Sequence, residues 1–231
     1  MESDSLIEKK DFIDNALQIW STIGIDKIQG GFHELLDSDL NVIDVPRRAR
    51  LVARQVYSFS IGERLGWNGP IEKIIDHGLS FLNKFLIKEN GKINSSFDLS
   101  NGKIDTSYAL YDYAFVFLML AEINRFEKFK DKAGEISERC LTFLNTNYRH
   151  QTIGFQEDSK ITQWLSSNSH MHLLEAALLW EKYDSTWCKL SDEIVHLAET
   201  KLVNSLDGCI YEYFDKNWKI SKDPNITKIE P

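Results

Sequence analysis

The feature that most constrains this chain is a recurrence about every 60 residues, marked by Gly31, Gly91, Gly154 and Gly208. Each glycine lies in a short segment rich in turn residues, such as Gly30-Gly31-Phe32-His33-Glu34 or Asn90-Gly91-Lys92 through Asn101-Gly102-Lys103. Such segments read as hairpins or tight loops. Between them, apolar residues recur at three-and-four spacing, which predicts helices. The first runs from about residue 5 to 23 on a stripe of Leu6, Phe12, Ile13, Ala16, Leu17 and Trp20. The second starts near Pro46, a residue suited to the first helical position, and runs to about Leu65. The third covers about residues 71–87. The fourth, capped from Asp105, Thr106 or Ser107, runs to Asn124. The fifth covers about residues 129–146. The sixth, capped by Ser166 or Ser167, ends near Tyr183, and the seventh covers about residues 186–203.

The repeating unit is therefore helix, hairpin-like loop, helix, short turn. A helix pair of this kind cannot bury its apolar face alone, so pairs must stack. Short connections make neighbours antiparallel. An open α-solenoid and a closed α/α toroid both satisfy this. Long hairpins confined to one end favour the toroid, because a cavity then opens at that end. The expectation is an all-α, single α/α-barrel domain over residues 1–231 of about seven helices, a partial (α/α)6 barrel with short β-hairpins at one end.

The net charge of −8 sets this chain against nucleic acid as a main partner, since phosphate binding needs a basic face. No apolar run approaches the roughly 18 residues of a membrane helix, and Met1-Glu2-Ser3-Asp4-Ser5 is unlike a secretory signal. Cys140, Cys188 and Cys209 are odd in number and far apart, which fits free thiols in a reducing compartment. A cytoplasmic protein without nucleic-acid or membrane partners is expected.

Antiparallel alternation brings the start of every even-numbered helix to the hairpin end. Polar residues in their first turns should meet around one mouth: Arg54, Tyr111, Asn168 and His172. Arg54 to Tyr111 is 57 residues, and Tyr111 to Asn168 is 57 again, which suggests equivalent points of successive repeats. Asn168, His172 and Glu175 share one helical face, and Met171, Leu174 and Leu178 are expected to pack on another. Such a mouth suits a hydroxyl-rich or anionic small ligand, since Arg holds oxygens, His moves protons near neutral pH and aromatic rings stack on sugars. Each residue alone also has an ordinary packing explanation. His170 and His172 point apart on a helix, so they do not make a joint metal site. Adjacent Glu157 and Asp158 are a poor carboxylate pair for glycoside hydrolysis. There is no phosphate-loop, dinucleotide or nucleophile-elbow motif.

These segments resemble the N-acylglucosamine 2-epimerase family, which includes mannose-type aldose–ketose isomerases. The likeness runs through Gly30-Gly31-Phe32-His33-Glu34, Ala53-Arg54-Gln55-Val56-Tyr57-Ser58-Phe59 and Tyr111-Asp112-Tyr113-Ala114-Phe115. It is most specific at Asn168-Ser169-His170-Met171-His172-Leu173-Leu174-Glu175-Ala176, with Ser169 where the family commonly has proline, and continues in Tyr211-Glu212-Tyr213-Phe214-Asp215 and Trp218. The resemblance implies His172 as a catalytic residue and Arg54, Tyr111 and Asn168 as substrate-binding residues. It also implies proton transfer on an open-chain sugar through a cis-enediol, with neither cofactor nor metal. The outcome would be aldose–ketose isomerisation or 2-epimerisation. The family continues beyond a segment like Ile229-Glu230-Pro231 with Gly-His-x-x-Glu-Trp, whose His and Glu belong to the catalytic set. By that measure this chain carries seven of twelve helices. It is expected to be inactive alone, through truncation, frameshift or a split gene, and to need a missing C-terminal half or a homo-oligomer. A non-catalytic carbohydrate-binding or helical-repeat interaction domain is the alternative.

Overall fold

The structure, a computed structural model, describes residues 2–157, 164–206, 208–220 and 229–230. The side chain of Leu6, and all of Asp158 and Pro231, lie outside the described residues. The chain divides into two compact units, Met1–Lys88 with Asn94–Asp105, and Glu89–Ile93 with Thr106–Pro231.

The first unit holds α1 (Glu2–Thr22), β1 (Leu35–Leu36), β2 (Val42–Ile43), β3 (Arg47–Arg48), α2 (Ala49–Arg64), α3 (Ile71–Phe81), β4 (Ser96–Asp98) and β5 (Lys103–Asp105). A π-helical turn, Leu82–Leu86, extends α3. The second holds α4 (Leu110–Ile123), α5 (Lys130–Asn147), β6 (Trp164–Ser166), α6 (Ser167–Trp180), α7 (Thr186–Leu197), β7 (Ile210–Tyr211), β8 (Tyr213–Asp215) and β9 (Ile229–Glu230). A π-helical turn at Ala198–Leu202 closes α7 just as one closes α3. Seven helices thus occur among the described residues, in the predicted order. None is long and apolar enough to cross a membrane. All three cysteines are free.

Gly31, Gly91, Gly154 and Gly208 all take positive φ, between +73° and +87°. The repeat is therefore a backbone repeat, since only glycine enters this region without steric cost. At Gly91 a side chain is doubly excluded: an added Cβ would lie 2.2 Å from the carbonyl oxygen of Arg139.

The helix starts differ from expectation. Pro46 precedes α2, because Arg47 and Arg48 are drawn into an antiparallel pairing with Phe97 and Ser96. Likewise α4 begins at Leu110 rather than after Asp105–Ser107, because Lys103–Asp105 is a strand paired with Ser96–Asp98. Tyr108, which follows, is buried and stacked face to face on Tyr148 at 3.5 Å. Ser166 does stand at the N-cap of α6, yet neither it nor the cap residues Arg48 and Ala109 makes a side-chain cap hydrogen bond. The role passes to backbone. The first helical N–H of α2 (Ala49) donates to Ser95 O at 2.9 Å, that of α4 (Leu110) to Glu157 O at 2.9 Å, and that of α6 (Ser167) to Glu212 O at 3.0 Å. In each case the carbonyl belongs to the loop or hairpin of the following repeat. This satisfies a donor that every helix start otherwise leaves orphaned. The strands follow the same logic, β3 pairing with β4 and β6 with β8, one repeat ahead.

In the first unit the loop after α1 is pinned by a buried ion pair. Arg47 Nη2 lies 2.6 Å from Asp26 Oδ2, and the same guanidinium donates to Gly30 O. Burial works against the Asp26 carboxylate, but the N–H of Gln29, the Arg47 guanidinium and the N–H of Ile28 outweigh it and hold its pKa below the usual range. Arg48 pairs with Glu34, and His77 Nε2 lies 2.6 Å from Gly31 O. Strands β1 and β2 pair antiparallel around Asp37–Asn41.

In the second unit α4 packs along α6 more extensively than any other helix pair, and α5 and α7 lie against them. Every residue of α4 is buried except Tyr111, the pattern of a helix enclosed on all sides. Trp180 Nε1–H donates to Phe117 O at 3.0 Å, and Trp180 stacks on Trp187. The expected packing of Met171 and Leu178 is not found: they are 41% and 53% exposed on α6. Phe12, placed in the apolar stripe of α1, is exposed as well.

Amide exchange checks the repeat-to-repeat caps. First-turn amides normally exchange fast; those of Ala49, Leu110 and Ser167 are expected to be protected like helix interiors, and rapid exchange at all three would contradict the backbone caps.

Candidate functional site

The second unit builds a cluster where α4 and α6 begin. Tyr111 is the second residue of α4 and Phe115 lies one turn on, so both rings share a face. Their centroids are 4.8 Å apart. His172, on the second turn of α6, packs against both: its ring is 5.2 Å from Tyr111, edge on, and 4.7 Å from Phe115. Its side chain is 31% exposed, so it is walled by aromatics yet open to a ligand. Its Nδ1 lies 2.6 Å from Oε2 of Glu175. Asn168, half buried, sits one turn before His172 on the same helix face.

Of the four residues expected at a mouth, Tyr111 and His172 are in ring contact and Asn168 is on the adjacent turn. Arg54 belongs to the first unit, where it is an exposed residue of α2. Its register is also one turn off. Counted from the capped first residues Ala49, Leu110 and Ser167, Arg54 corresponds to Phe115 and His172, while Arg50 corresponds to Tyr111 and Asn168. Equal spacing in sequence hid this, because Ala49 to Leu110 is 61 residues whereas Leu110 to Ser167 is 57.

Behind the cluster, His170 faces the opposite way. It is fully buried, its Nδ1–H donates to Ser166 O at 2.9 Å, and its Nε2 accepts the Phe155 N–H at 3.1 Å. Trp218 lies 5.1 Å from its ring, edge on. Desolvation drives the His170 pKa down to about 4. The loop it holds is also tied to α7, where Glu193 accepts the Gly154 N–H and pairs with Arg149. An added Cβ on Gly154 would lie 2.9 Å from Nε2 of His170. Beside it, Ser169 Oγ donates to Glu157. His170 is a structural pin, and His172 is the histidine presented outward. Among the described residues no group of three His, Cys, Asp or Glu side chains is placed to hold a metal. A groove of about 720 Å³ runs along α5 and the start of α7, reaching Trp180 and Asn124, and shares no residue with this cluster.

Phe115 and Glu175 complete the cluster and carried no assigned role in the sequence reading. The available signals were the four-residue step from Tyr111 to Phe115 and the three-residue step from His172 to Glu175.

Helix pairs joined by hairpin-like loops, with Tyr111, Asn168 and His172 near the starts of α4 and α6, are features of an α/α toroid. Known proteins agree. Residues 30–231 match the family model for N-acylglucosamine 2-epimerase, and the chain belongs to that family. It is 32% identical over 212 residues to a mannose-6-phosphate isomerase of Rhizobium meliloti (strain 1021), covering 89% of this chain and 54% of that protein. Among solved structures it is similar to cellobiose 2-epimerase from Bacillus thermoamylovorans B4167 (TM-score 0.81, 18% identity, 94% of this chain and 61% of that one). It is also similar to a D-mannose isomerase (TM-score 0.79, 15% identity, 93% and 57%). At these identities the solved structures establish the fold, an α/α toroid. The chain spans about half the length of the curated relative.

His170 gives a pH prediction. An unfolded histidine takes up a proton below about pH 6.5, whereas folded His170 does so only near 4. In between, unfolding binds a proton, so the stability this group contributes is complete above pH 6.5 and is lost as pH falls toward 4. The slope from this one site is about 1.4 kcal/mol per pH unit. Urea unfolding of the native chain and of H170Q at about pH 7 and about pH 5 should show a shallower pH dependence in the variant; equal slopes would contradict a neutral buried His170.

Proposed function

We propose that this chain supplies part of the sugar pocket of an isomerase or 2-epimerase, with His172 as one of its proton-transfer groups. The observation that carries the reading is the Tyr111–Phe115–His172 cluster at the starts of α4 and α6, in a member of this family. Tyr111 and Phe115 offer apolar ring surface to the C–H face of an open-chain aldose, and Asn168 offers both donor and acceptor to its hydroxyls. His172 would take the proton from C2. The C–H pair then becomes the C1–C2 double bond, and the carbonyl pair moves onto O1, giving an enediolate. Return of the proton to C1, with the O2–H proton passing to O1 as the C2 carbonyl forms, yields a ketose; return to the other face of C2, with the O1 pair re-forming the C1 carbonyl, yields the epimer. Arg54 is proposed to steady the developing charge on O1, a role suited to a guanidinium. The named activity of the 32% identical relative supports a mannose-type sugar, with or without a phosphate.

Because the chain spans about half of that relative, the residues at hand are proposed to bind sugar but to turn it over at background on their own. The exposed Met171 and Leu178 on α6 are where further α/α helices, or a second copy of this chain, would find apolar surface. Binding without chemistry would equally suit a carbohydrate-binding domain, so the test must read both.

Saturation-transfer NMR should detect mannose or mannose 6-phosphate on the chain alone, with about 10-fold or greater loss of affinity in Y111A and H172A. In D2O the chain joined to the remaining part of a family member should place deuterium at C2, and H172N should slow this by at least about 100-fold. Binding without deuterium exchange in the joined protein would leave only the carbohydrate-binding reading. Absence of binding would remove both.

A further inference from the structure

His172 and Glu175 are three residues apart on α6, which makes them neighbours on one helix face. Their side chains meet, with Nδ1 of His172 2.6 Å from Oε2 of Glu175. A carboxylate has no proton to donate, so the hydrogen in this contact is on Nδ1. A neutral imidazole carries one N–H, so Nε2 then keeps its lone pair. The ring stands against Tyr111 on one hand and Phe115 on the other, which hinders the ring flip that would exchange the two nitrogens. The contact is a poor device for stability. Glu175 is 60% exposed, and an exposed pair of this kind adds little to folding stability.

The geometry points to Glu175 as the positioning residue of the site: it fixes the Nδ1–H tautomer of His172 and so makes Nε2 the atom that receives the sugar's proton. This rests on the reading of His172 as a proton-transfer group. Glu175 touches no substrate. It acts through His172, first by orienting the ring and then by facing the positive charge that the ring acquires when Nε2 is protonated. The proton taken from C2 is held on Nε2, where it exchanges with solvent before a proton is returned to the carbon, and Nδ1–H takes no part in the transfer.

The tautomer can be read directly on the 231-residue chain labelled with 15N, by long-range proton–nitrogen correlation of the ring, with H172Q used to assign the His172 signals. In the native chain at about pH 8, Nδ1 is expected to carry the hydrogen. Glu175→Ala should revert His172 to the Nε2–H form that free imidazole side chains prefer. Glu175→Gln should retain Nδ1–H, because its amide oxygen still accepts. Circular dichroism confirms that both variants fold. An Nε2–H tautomer in the native chain, or no change in E175A, overturns the proposal. In the joined protein E175A should lower kcat by about 10-fold to 100-fold with KM within about 2-fold, and E175Q should restore much of the loss. If the tautomer responds as stated while no sugar exchanges deuterium, the pairing stands and the proton-transfer reading falls. If sugar exchanges deuterium and the tautomer does not respond, the opposite holds.

Discussion

The backbone hydrogen bond from the first residue of each even helix to a carbonyl one repeat ahead governs the rest of this structure. A helix start leaves donors exposed, and the usual remedy is a local side chain. Here the remedy is non-local: Ala49, Leu110 and Ser167 give their N–H groups to Ser95, Glu157 and Glu212. The bond fixes where each even helix begins relative to the next loop. It also explains why the strands pair across repeats, since β3 with β4 and β6 with β8 run directly beside these bonds. A helix start anchored in this way can present its second and sixth residues at a set depth. In the second unit those residues are Tyr111 with Phe115, and Asn168 with His172.

The consequence is a division of labour within a few residues of α6. His170 turns inward, is stripped of water, accepts the Phe155 N–H of the loop on Nε2 and donates Nδ1–H to Ser166 O at the start of its own helix. His172, two positions on, turns outward between two aromatic rings and meets Glu175. Helical geometry alone separates them, as residues two apart face different surroundings. The same side chain is a neutral strut at His170, where desolvation disfavours the charged ring, and an outward-facing, partly exposed group at His172.

Much of this was legible in the sequence. Seven periodic stretches and four spaced glycines gave the order of helices and hairpins, because those signals are local and each glycine needs positive φ. The contact of Tyr111 with His172, with Asn168 one turn before it, followed from antiparallel alternation. The starts of α2 and α4 were not legible, because Pro46 and Asp105 look like local signals while the operative partners lie some 45 residues away on another loop; at α6 Ser166 does stand at the N-cap, but there too the backbone bond goes to a distant carbonyl, that of Glu212. Arg54 misled for a related reason. Its even spacing to Tyr111 suggested equivalence, but the helix frame set by the caps moves it one turn, to the level of Phe115 and His172. The exposure of Met171 and Leu178 was equally hidden, since an apolar stripe does not itself say which of its residues a neighbouring helix covers.

The account's central claim is that His172, walled by Tyr111 and Phe115, is where a sugar's reacting carbons are held. A crystal structure of the chain soaked with a linear sugar alcohol such as mannitol tests it most directly. The account predicts the C1–C2 end of the alcohol within hydrogen-bonding distance of His172 Nε2, with its C–H face on Tyr111. An alcohol lodged instead in the groove along α5 and α7, with the His172 cluster filled only by solvent, would contradict it.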